Sequence, residues 1–312
     1  MTAGQSRVLL TGATGYVGGL LLPLLERQPG TVRCLARRPE KIHRSRDTTE
    51  IVRGDVLDAA SLDDALHGVD TAYYLIHLMS GSENFEQDDR RAAQNFAAAA
   101  KQAGVRRIIY LGGLGDDSDP ELSPHLRSRH EVGEILKSSG AEVIEFRAGM
   151  VMGAGSLSFD LLKSLTDRLP VMICPQWLTT PTQPIAVDDV LAYLLAAKDL
   201  PAGGHRRFEI GGQDVVSYGR LIREYARQMK LHRWLIYVPV LTPYLSSLWL
   251  ALVTPTKFTV GRHLIEGLRN PTVVRDAQAL QTFPIQPMSV RAAVQKAIEG
   301  SAASASPTPN NQ

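Results

Sequence analysis

Three glycines near the start of the chain have the type and spacing of a phosphate-binding turn. Gly12, Gly15 and Gly18 follow the apolar run RVLL from Arg7 and open a stretch with helical periodicity. In such turns one glycine permits the tight bend, one lets the backbone approach a pyrophosphate, and one lets the helix pack on the strand. The helix N-terminus then offers N–H groups and a partial positive charge. The pattern predicts dinucleotide binding; the alternative is an ordinary glycine-rich connection.

The residues after the second predicted strand indicate which dinucleotide is bound. That strand begins at Thr31 and is followed by Ala36, Arg37 and Arg38, where an NAD-preferring protein carries an acid. An arginine accommodates a 2′-phosphate instead, so the sequence predicts NADP(H). The alternative is two solvated arginines before a turn. Asp55, just past the third strand, is placed either to bond the adenine or to hold a turn.

Strand-like and helix-like runs alternate through the first half of the chain. A helical segment rich in alanine starts at Asn84 and stops at Gly104, a typical C-terminal signal. Such alternation predicts an α/β fold: right-handed βαβ units that form a doubly wound parallel sheet. Predicted strands of this sheet begin at Arg7, Thr31, Glu50, Thr71, Arg106 and Glu142.

The rhythm changes after Arg147, where prolines gather and a late strand follows from Arg206. We expect a smaller C-terminal substrate-binding region that is interleaved with the first half. Residues 6–230 are predicted to form the NAD(P)-binding core with interleaved substrate elements. Residues 231–300 are predicted to form a helical, apolar lid over the substrate. The small, polar segment 301–312 is predicted to be disordered.

The composition of the chain argues against some kinds of ligand and indicates a cellular compartment. The 312 residues include 34 basic and 32 acidic residues, for a net charge of +2, which argues against a nucleic-acid-binding protein. The two cysteines, Cys34 and Cys174, have no metal-ligand spacing and fit a reducing compartment. No metal is expected. The first ten residues lack the pattern of a signal peptide, so we predict a cytoplasmic protein.

The stretch 235–253 contains no charged residue, which raises the question of a membrane. Prolines at 239 and 243 and serines at 246 and 247 interrupt it, so we expect no stable membrane insertion. The stretch is predicted to form a lid over a small apolar substrate or a surface between the subunits of an oligomer. Interfacial contact with a membrane stays open as an alternative.

Several motifs together resemble the short-chain dehydrogenase/reductase superfamily. They are TGATGYVG from Thr11, the predicted strand that ends in Arg37, and GDVLD from Gly54. The resemblance lies with the extended and atypical branches, including proteins similar to NmrA and to NAD-dependent epimerases. It covers residues 6–230 and implies a Rossmann fold that binds NAD(P). The motif PIAVDDVLAYLLAA resembles a segment of these proteins in which Asp188 would cap a helix.

The standard catalytic residues of that superfamily are absent. Its members use Tyr-x-x-x-Lys, yet none of the nine tyrosines is followed by a lysine four residues later. The position of the usual serine reads Gly112-Gly113. On the helix predicted from Ser123, His125 stands where the tyrosine would be and Arg129 where the lysine would be. Both are expected to point inward over the cofactor.

A histidine can donate a proton near neutral pH, and an arginine can hold ribose hydroxyls without acting as a base. His125 and Arg129 are therefore the candidate catalytic residues. The alternative is that His125 only packs and that Arg129 binds a phosphate or a carboxylate. His77 lies at the ligand end of the fourth strand, where it either contacts the nicotinamide or is a buried, satisfied histidine.

These considerations predict an NADP(H)-dependent oxidoreductase that reduces an apolar carbonyl or conjugated substrate. The alternatives are a regulatory protein that senses NADP(H) without turnover, and an epimerase-like enzyme with a tightly held cofactor. The predicted cofactor-binding residues come from the glycine turn, the strand ends and the candidate helix: Thr11, Gly12, Thr14, Gly15, Tyr16, Val17, Gly18, Arg37, Arg38, Asp55, Val56, Leu75, His77, Arg129 and Arg147.

Overall fold

The computed structural model describes residues 6–78, 84–238 and 268–305. The strands are β1 Arg7–Thr11, β2 Thr31–Ala36, β3 Glu50–Arg53, β4 Thr71–Tyr74, β5 Arg107–Gly113, β6 Glu142–Ala148, β7 Val151–Met152, β8 Val171–Cys174, β9 Pro181–Thr182, β10 Ile185–Ala186, β11 Arg206–Ile210, β12 Val216–Ser217 and β13 Trp234–Tyr237. The helices are α1 Tyr16–Glu26, α2 Leu62–Leu66, α3 Phe85–Ala103, α4 Pro124–Lys137, α5 Leu157–Arg168, α6 Val187–Ala197, α7 Tyr218–Gln228, α8 Gln278–Thr282 and α9 Val290–Ala305.

Seven strands form one parallel sheet in the order β11-β6-β5-β4-β1-β2-β3. All seven residues of β5 are buried, which is typical of parallel sheets covered on both faces. The direction of winding reverses between β1 and β4. In open α/β sheets a ligand binds at such a switch point, outside the carboxyl ends of the strands. The sheet therefore points to the ends of β1, β2 and β4.

Helices cover both faces of the sheet, so the predicted doubly wound Rossmann fold is confirmed. On one face, the leucines of α1 and α6 pack against β1, β6 and β11. On the other face, α2, α3 and α4 pack on β1, β2, β4, β5 and β6 through a separate buried cluster. A third cluster joins α5, α7 and α9 beyond β6, and it forms the core of the smaller C-terminal part.

Two details of the chain differ from expectation. Asp188 does not cap α6: the helix begins at Val187 with no side-chain cap, and Asp188 Oδ1 instead accepts a hydrogen bond from Lys296 at 2.7 Å. The cap prediction is therefore wrong. Helix α9 extends to Ala305, so 301–305 are helical where disorder was expected, and 306–312 lie outside the described residues.

The apolar stretch 235–253 is only partly described. Its first three residues belong to β13, which pairs with β8 from Trp234 to Tyr237, and 239–253 lie outside the described residues. Within 6–78, 84–238 and 268–305, no helix combines the length and hydrophobicity that crossing a membrane requires.

Candidate active site

The glycine turn between β1 and α1 leaves no room for side chains. Gly12 has a φ of +73°, and a Cβ there would lie 2.5 Å from the carbonyl oxygen of Leu75. A Cβ at Gly18 would lie 2.2 Å from the carbonyl oxygen of Gly12. Helix α1 starts right after Gly15, with no side-chain cap and no acid in its first turn. Its first N–H groups are thus suited to an anion.

A cavity of about 240 Å³ lies beside this turn, at the carboxyl ends of β2, β3 and β4. This cofactor cleft brings together many of the predicted residues with some that the sequence analysis missed. The predicted residues that line it are Gly12, Thr14, Gly15, Arg37, Asp55, Val56, Leu75 and His77. The residues that were missed are Leu35, Ala36, Gly54, Ile76 and Leu78. They lie within two residues of predicted positions at strand ends, which is the signal that could have found them.

Arg37 and Asp55 both lie on the wall of the cleft, but they differ in whether their side chains already bond to other residues. Arg37 is exposed and forms no ion pair with any residue that the structure describes. Asp55 Oδ1 accepts a hydrogen bond from the N–H of Leu57 at 3.0 Å, so the turn role of Asp55 is present alongside its position in the cleft. Arg38 is also exposed but does not line the cleft.

Other predicted residues support the cleft without lining it. Thr11 Oγ1 donates to the carbonyl of Tyr73 at 2.9 Å and accepts from the N–H of Leu75 at 3.1 Å. Both bonds join β1 to the end of β4. Val17 packs against the hydrophobic core, and Gly18 allows the close contact between α1 and the turn.

Tyr16 faces a different cavity, of about 440 Å³, together with Asp188 and Lys296. Burial, followed by the charges of Asp188 and Asp160, raises the pKa of the Tyr16 phenol to about 12. The structure does not place this side chain in the cofactor cleft.

Two histidines and an aspartate form a chain at the end of the cleft. His77 Nδ1 lies 3.0 Å from Asp89 Oδ2, and His77 Nε2 lies 3.1 Å from His125 Nδ1. Asp89 also accepts hydrogen bonds from the Ser128 hydroxyl at 3.1 Å and from the Leu78 N–H at 3.0 Å. Residues from the end of β4, from α3 and from α4 therefore meet at one point.

The environment determines the charge of this group. Burial raises the pKa of Asp89, but hydrogen bonds from His77 and Leu78 outweigh it, and the net pKa lies below its usual range. Burial lowers the pKa of His77, and the charge of Arg129 lowers it further, while the Asp89 hydrogen bond offsets part of the shift. The directions of the two pKa shifts favour an ionised Asp89 and a neutral His77.

Arg129 points inward, but backbone carbonyls engage its guanidinium. It donates to the carbonyl of Ile76 at 3.2 Å and also to that of Leu111. It stacks over the Tyr110 ring at 5.0 Å, and the Tyr110 hydroxyl donates to the Arg129 carbonyl at 2.8 Å. These contacts join the ends of β4 and β5 beneath α4. Arg129 does not line the cofactor cleft.

A side chain at Gly113, at the end of β5 where the usual serine would lie, would displace Leu126. A Cβ at Gly113 would lie 2.7 Å from Leu126 Cδ2 of α4. Arg147 is also not brought to the cleft: its side chain, 2% exposed, forms ion pairs with Glu145 and Asp117, each at 2.7 Å. Among the residues that the structure describes, no three His, Cys, Asp or Glu side chains are arranged to hold a metal ion.

Comparison with known proteins agrees with this geometry. A family model described as NAD(P)H-binding matches residues 12–152. A (4-alkanoyl-5-oxo-2,5-dihydrofuran-3-yl)methyl phosphate reductase of Streptomyces griseus is 36% identical over 134 residues, which are 43% of this chain and 44% of that protein. The matched part thus spans less than half of that reductase.

A ceramide reductase of Caulobacter vibrioides is 28% identical over 273 residues, which are 84% of each chain. Among solved structures, a nucleoside-diphosphate-sugar epimerase from Staphylococcus aureus has the same fold, with a TM-score of 0.72 and 18% identity over 93% of this chain and 99% of that one. Residues 12–152 therefore match an NAD(P)H-binding family, and the chain has the Rossmann fold, as its resemblance to atypical short-chain dehydrogenases/reductases indicated.

Proposed function

We propose that the chain is an NADP(H)-dependent oxidoreductase that reduces an apolar carbonyl or conjugated substrate. The observation that carries this proposal is the meeting of three features along one sheet edge: the glycine turn, Arg37, and the chain of His77 and His125. A dinucleotide site that ends in a proton-carrying group is what a reductase needs. NADPH, when bound, supplies the hydride, and the protein supplies orientation and a proton.

The residues of the cleft fit this cofactor. The N–H groups at the start of α1 would bind the pyrophosphate, since Gly12 and Gly18 keep the turn free of side chains. Arg37 would bind the 2′-phosphate, because it is exposed on the cleft wall. Asp55 Oδ1 accepts the hydrogen bond of the turn, and its Oδ2 would accept a hydrogen bond from the adenine. The preference for NADP(H) over NAD(H) is part of the proposal.

An apolar substrate is supported by a second cavity, between α5 and α7. Its wall is almost wholly hydrophobic and includes Met150, Leu162, Leu165 and Ile222. Met150 follows the end of β6 by two residues, so part of the wall of this cavity lies at the carboxyl edge of the sheet, the edge that also holds the cofactor cleft. The ceramide reductase relative, named for a lipid, points to the same substrate class.

The proposed proton donor is His125. As an imidazolium, it would give its proton to the oxygen of the reduced carbonyl, at the carbon that accepts the hydride. Single-turnover oxidation of NADPH with a panel of long-chain ketones, aldehydes and conjugated carbonyls tests this. His125→Ala should slow the step by roughly 10²–10⁴-fold, the usual range for general acid catalysis. Equal rates would remove His125 from the mechanism.

The rival function is an NADP(H) sensor, and one observation favours it. Arg129 is engaged by the carbonyls of Ile76 and Leu111, not by a site for ribose. A sensor binds NADPH but oxidises it with no member of the panel. Arg129→Ala would then alter nucleotide affinity or partner binding alone.

Four further properties are predictions from the sequence. They are a small apolar substrate, a cytoplasmic location, no binding of nucleic acid and no stable insertion into a membrane. An oligomer also stays open. Cell fractionation and light scattering of the purified protein test these points. Recovery mainly in carbonate-resistant membranes would overturn the predicted location.

A further inference from the structure

We infer that Asp89 and His77 act together as positioning residues that hold His125 in one protonation form, with its proton on Nδ1. Only the use of this relay in turnover rests on the proposed function. The relay itself is a property of three side chains whose distances are known.

The first step is fixed by Asp89. Its carboxylate is 4% exposed, is ionised, and can only accept hydrogen bonds. His77 Nδ1 lies 3.0 Å from Asp89 Oδ2, so this nitrogen must carry a proton. The second oxygen, Oδ1, accepts from the N–H of Leu78, and Ser128 adds a further donor at Oδ2. The ionised form of Asp89 can accept all three of these hydrogen bonds at once.

The second step follows from the neutrality of His77. With its single proton on Nδ1, the imidazole presents a lone pair at Nε2. His125 Nδ1 lies 3.1 Å from this nitrogen, so the bond forms only if His125 Nδ1 donates. The neutral form of His125 is thereby restricted to one tautomer, with Nδ1 protonated and Nε2 unprotonated.

The restriction has a chemical consequence. A proton enters or leaves His125 at Nε2, while Nδ1–H stays bonded to His77. In the reductive direction the Nε2–H bond breaks, an O–H bond forms on the substrate oxygen, and His125 is left in the tautomer that the relay already favours. No hydrogen bond of the chain has to be rearranged. Among the described residues, the charged groups that act on His77 are Asp89 from α3 and Arg129 from α4. The carboxylate, linked by hydrogen bonds, stabilises an imidazolium in the chain, and the guanidinium opposes it.

The sharpest test is Asp89→Asn, which reverses the chain. An asparagine that keeps its oxygen towards Leu78 turns its NH₂ group towards His77, so His77 Nδ1 must accept. His77 Nε2 then carries the proton and donates to His125 Nδ1, and His125 shifts to the Nε2–H tautomer. Asp88→Asn is the matched control, because it removes the same charge from the same helix, where Asp88 pairs with Arg91.

The measurement is a ¹H–¹⁵N spectrum of the full-length protein labelled at histidine nitrogens, assigned with His77→Gln and His125→Gln. In the wild type near pH 7.5 we expect both histidines to be protonated at Nδ1 only. Asp89→Asn should switch both to Nε2–H, and Asp88→Asn should leave them unchanged. A wild-type His125 protonated at Nε2 would overturn the inference even if Asp89→Asn does not fold.

Turnover gives a separate reading. With rising pH, the single-turnover rate should fall as His125 loses its proton. Asp89→Asn should move this fall to lower pH, because the imidazolium loses its counter-charge. Asp89→Asn should also slow single-turnover oxidation of NADPH by up to roughly 10⁴-fold. The same substitution in a Ser-His-Asp triad has an effect of this size, because it leaves the histidine in the wrong tautomer. The predicted tautomer without any NADPH oxidation would support the relay and overturn the reductase. Oxidation with an unshifted pH profile in Asp89→Asn would overturn the relay and leave the reductase.

Discussion

The carboxyl edge of the sheet has two parts with similar residue types and opposite chemistry. Over β2 and β4, Arg37 is exposed beside an open cleft and His77 extends a hydrogen-bonded chain to His125. Over β5 and β6, the charged groups form a closed network. Arg147 pairs with Glu145 and Asp117, and Asp117 also contacts His130 Nδ1 at 2.6 Å.

The difference lies in how much bonding capacity each group retains. In the closed network, Asp117 is shared by Arg147, Arg207 and His130, and His130 Nε2 is used on the carbonyl of Gly113 at 2.9 Å. These groups hold the strand ends together and have few donors or acceptors that could still bind a ligand. In the open part, a cation without an ion pair in the described chain borders a cavity. Residue type alone therefore does not distinguish a binding site from a structural site. The two sites differ in whether their charged groups can still form hydrogen bonds or ion pairs with a ligand.

The largest effect should come from breaking the closed network. Glu145 is 1% exposed, and its pKa is raised by burial but held down in part by Arg147. Arg147→Met removes that cation and should lower the free energy of unfolding by about 3–5 kcal/mol, the range for an orphaned buried charge. Urea unfolding measures this.

The matched variant is Arg147→Met combined with Glu145→Gln. It removes both charges, so most of the lost stability should return. If the single change leaves stability within 1 kcal/mol of the wild type, as is typical of exposed ion pairs, the network does not hold the ends of β5 and β6 as described.

A smaller effect is expected in the open part. Arg37→Glu should weaken NADPH binding by roughly 10- to 100-fold, because a hydrogen bond to a charged group contributes about 1.5–3 kcal/mol. Affinity for NADH should stay nearly the same, since NADH has no 2′-phosphate. Lys41→Glu, an equal charge change on an exposed residue outside the cleft, controls for general electrostatics. Calorimetric titration with both dinucleotides decides; an equal loss for both would remove Arg37 from the 2′-phosphate site.

The sequence predicted the fold and the placement of Arg37 and Asp55 at the cleft, because both are encoded locally. The glycine spacing, the position of Arg37 after β2 and the place of Asp55 after β3 each depend on a few neighbouring residues and on a general rule for sheet edges. The closed network was misread: Arg147 was expected near the cofactor. Its partner Glu145 is two residues away on the same face of β6, and that period of two could have shown the pair.

Asp89 was missed for a different reason. In the run EQDDRR it looks like part of a solvated helix face, and its neighbour Asp88 pairs with surface Arg91. Rotation of about 100° per residue separates the two acids. Phe85, Asp89, Ala92 and Phe96 are all buried on one stripe of α3, so an acid on an apolar stripe was the available signal. Its partners His77 and His125 come from distant segments, which only the folded chain brings together.

The smallest expected effect is a change in how stability depends on pH. The pKa of His77 is lowered from 6.5 by burial, so the native state keeps His77 neutral where the unfolded chain becomes protonated. The unfolded state then binds more protons, and the free energy of unfolding falls as the pH drops below about 6.5. One such group contributes a slope of at most about 1.4 kcal/mol per pH unit. The pKa of Asp89 is also lowered, so protonation of Asp89 reduces the free energy of unfolding only at lower pH, near and below its usual pKa of 3.8.

The variant His77→Gln has no titratable group at this position. Its free energy of unfolding should therefore change less between pH 7 and pH 5 than that of the wild type, whatever its value at pH 7. Urea unfolding at several pH values gives both slopes. Identical slopes would mean that His77 is already charged in the native state, which would also contradict the lone pair at Nε2 that the relay needs.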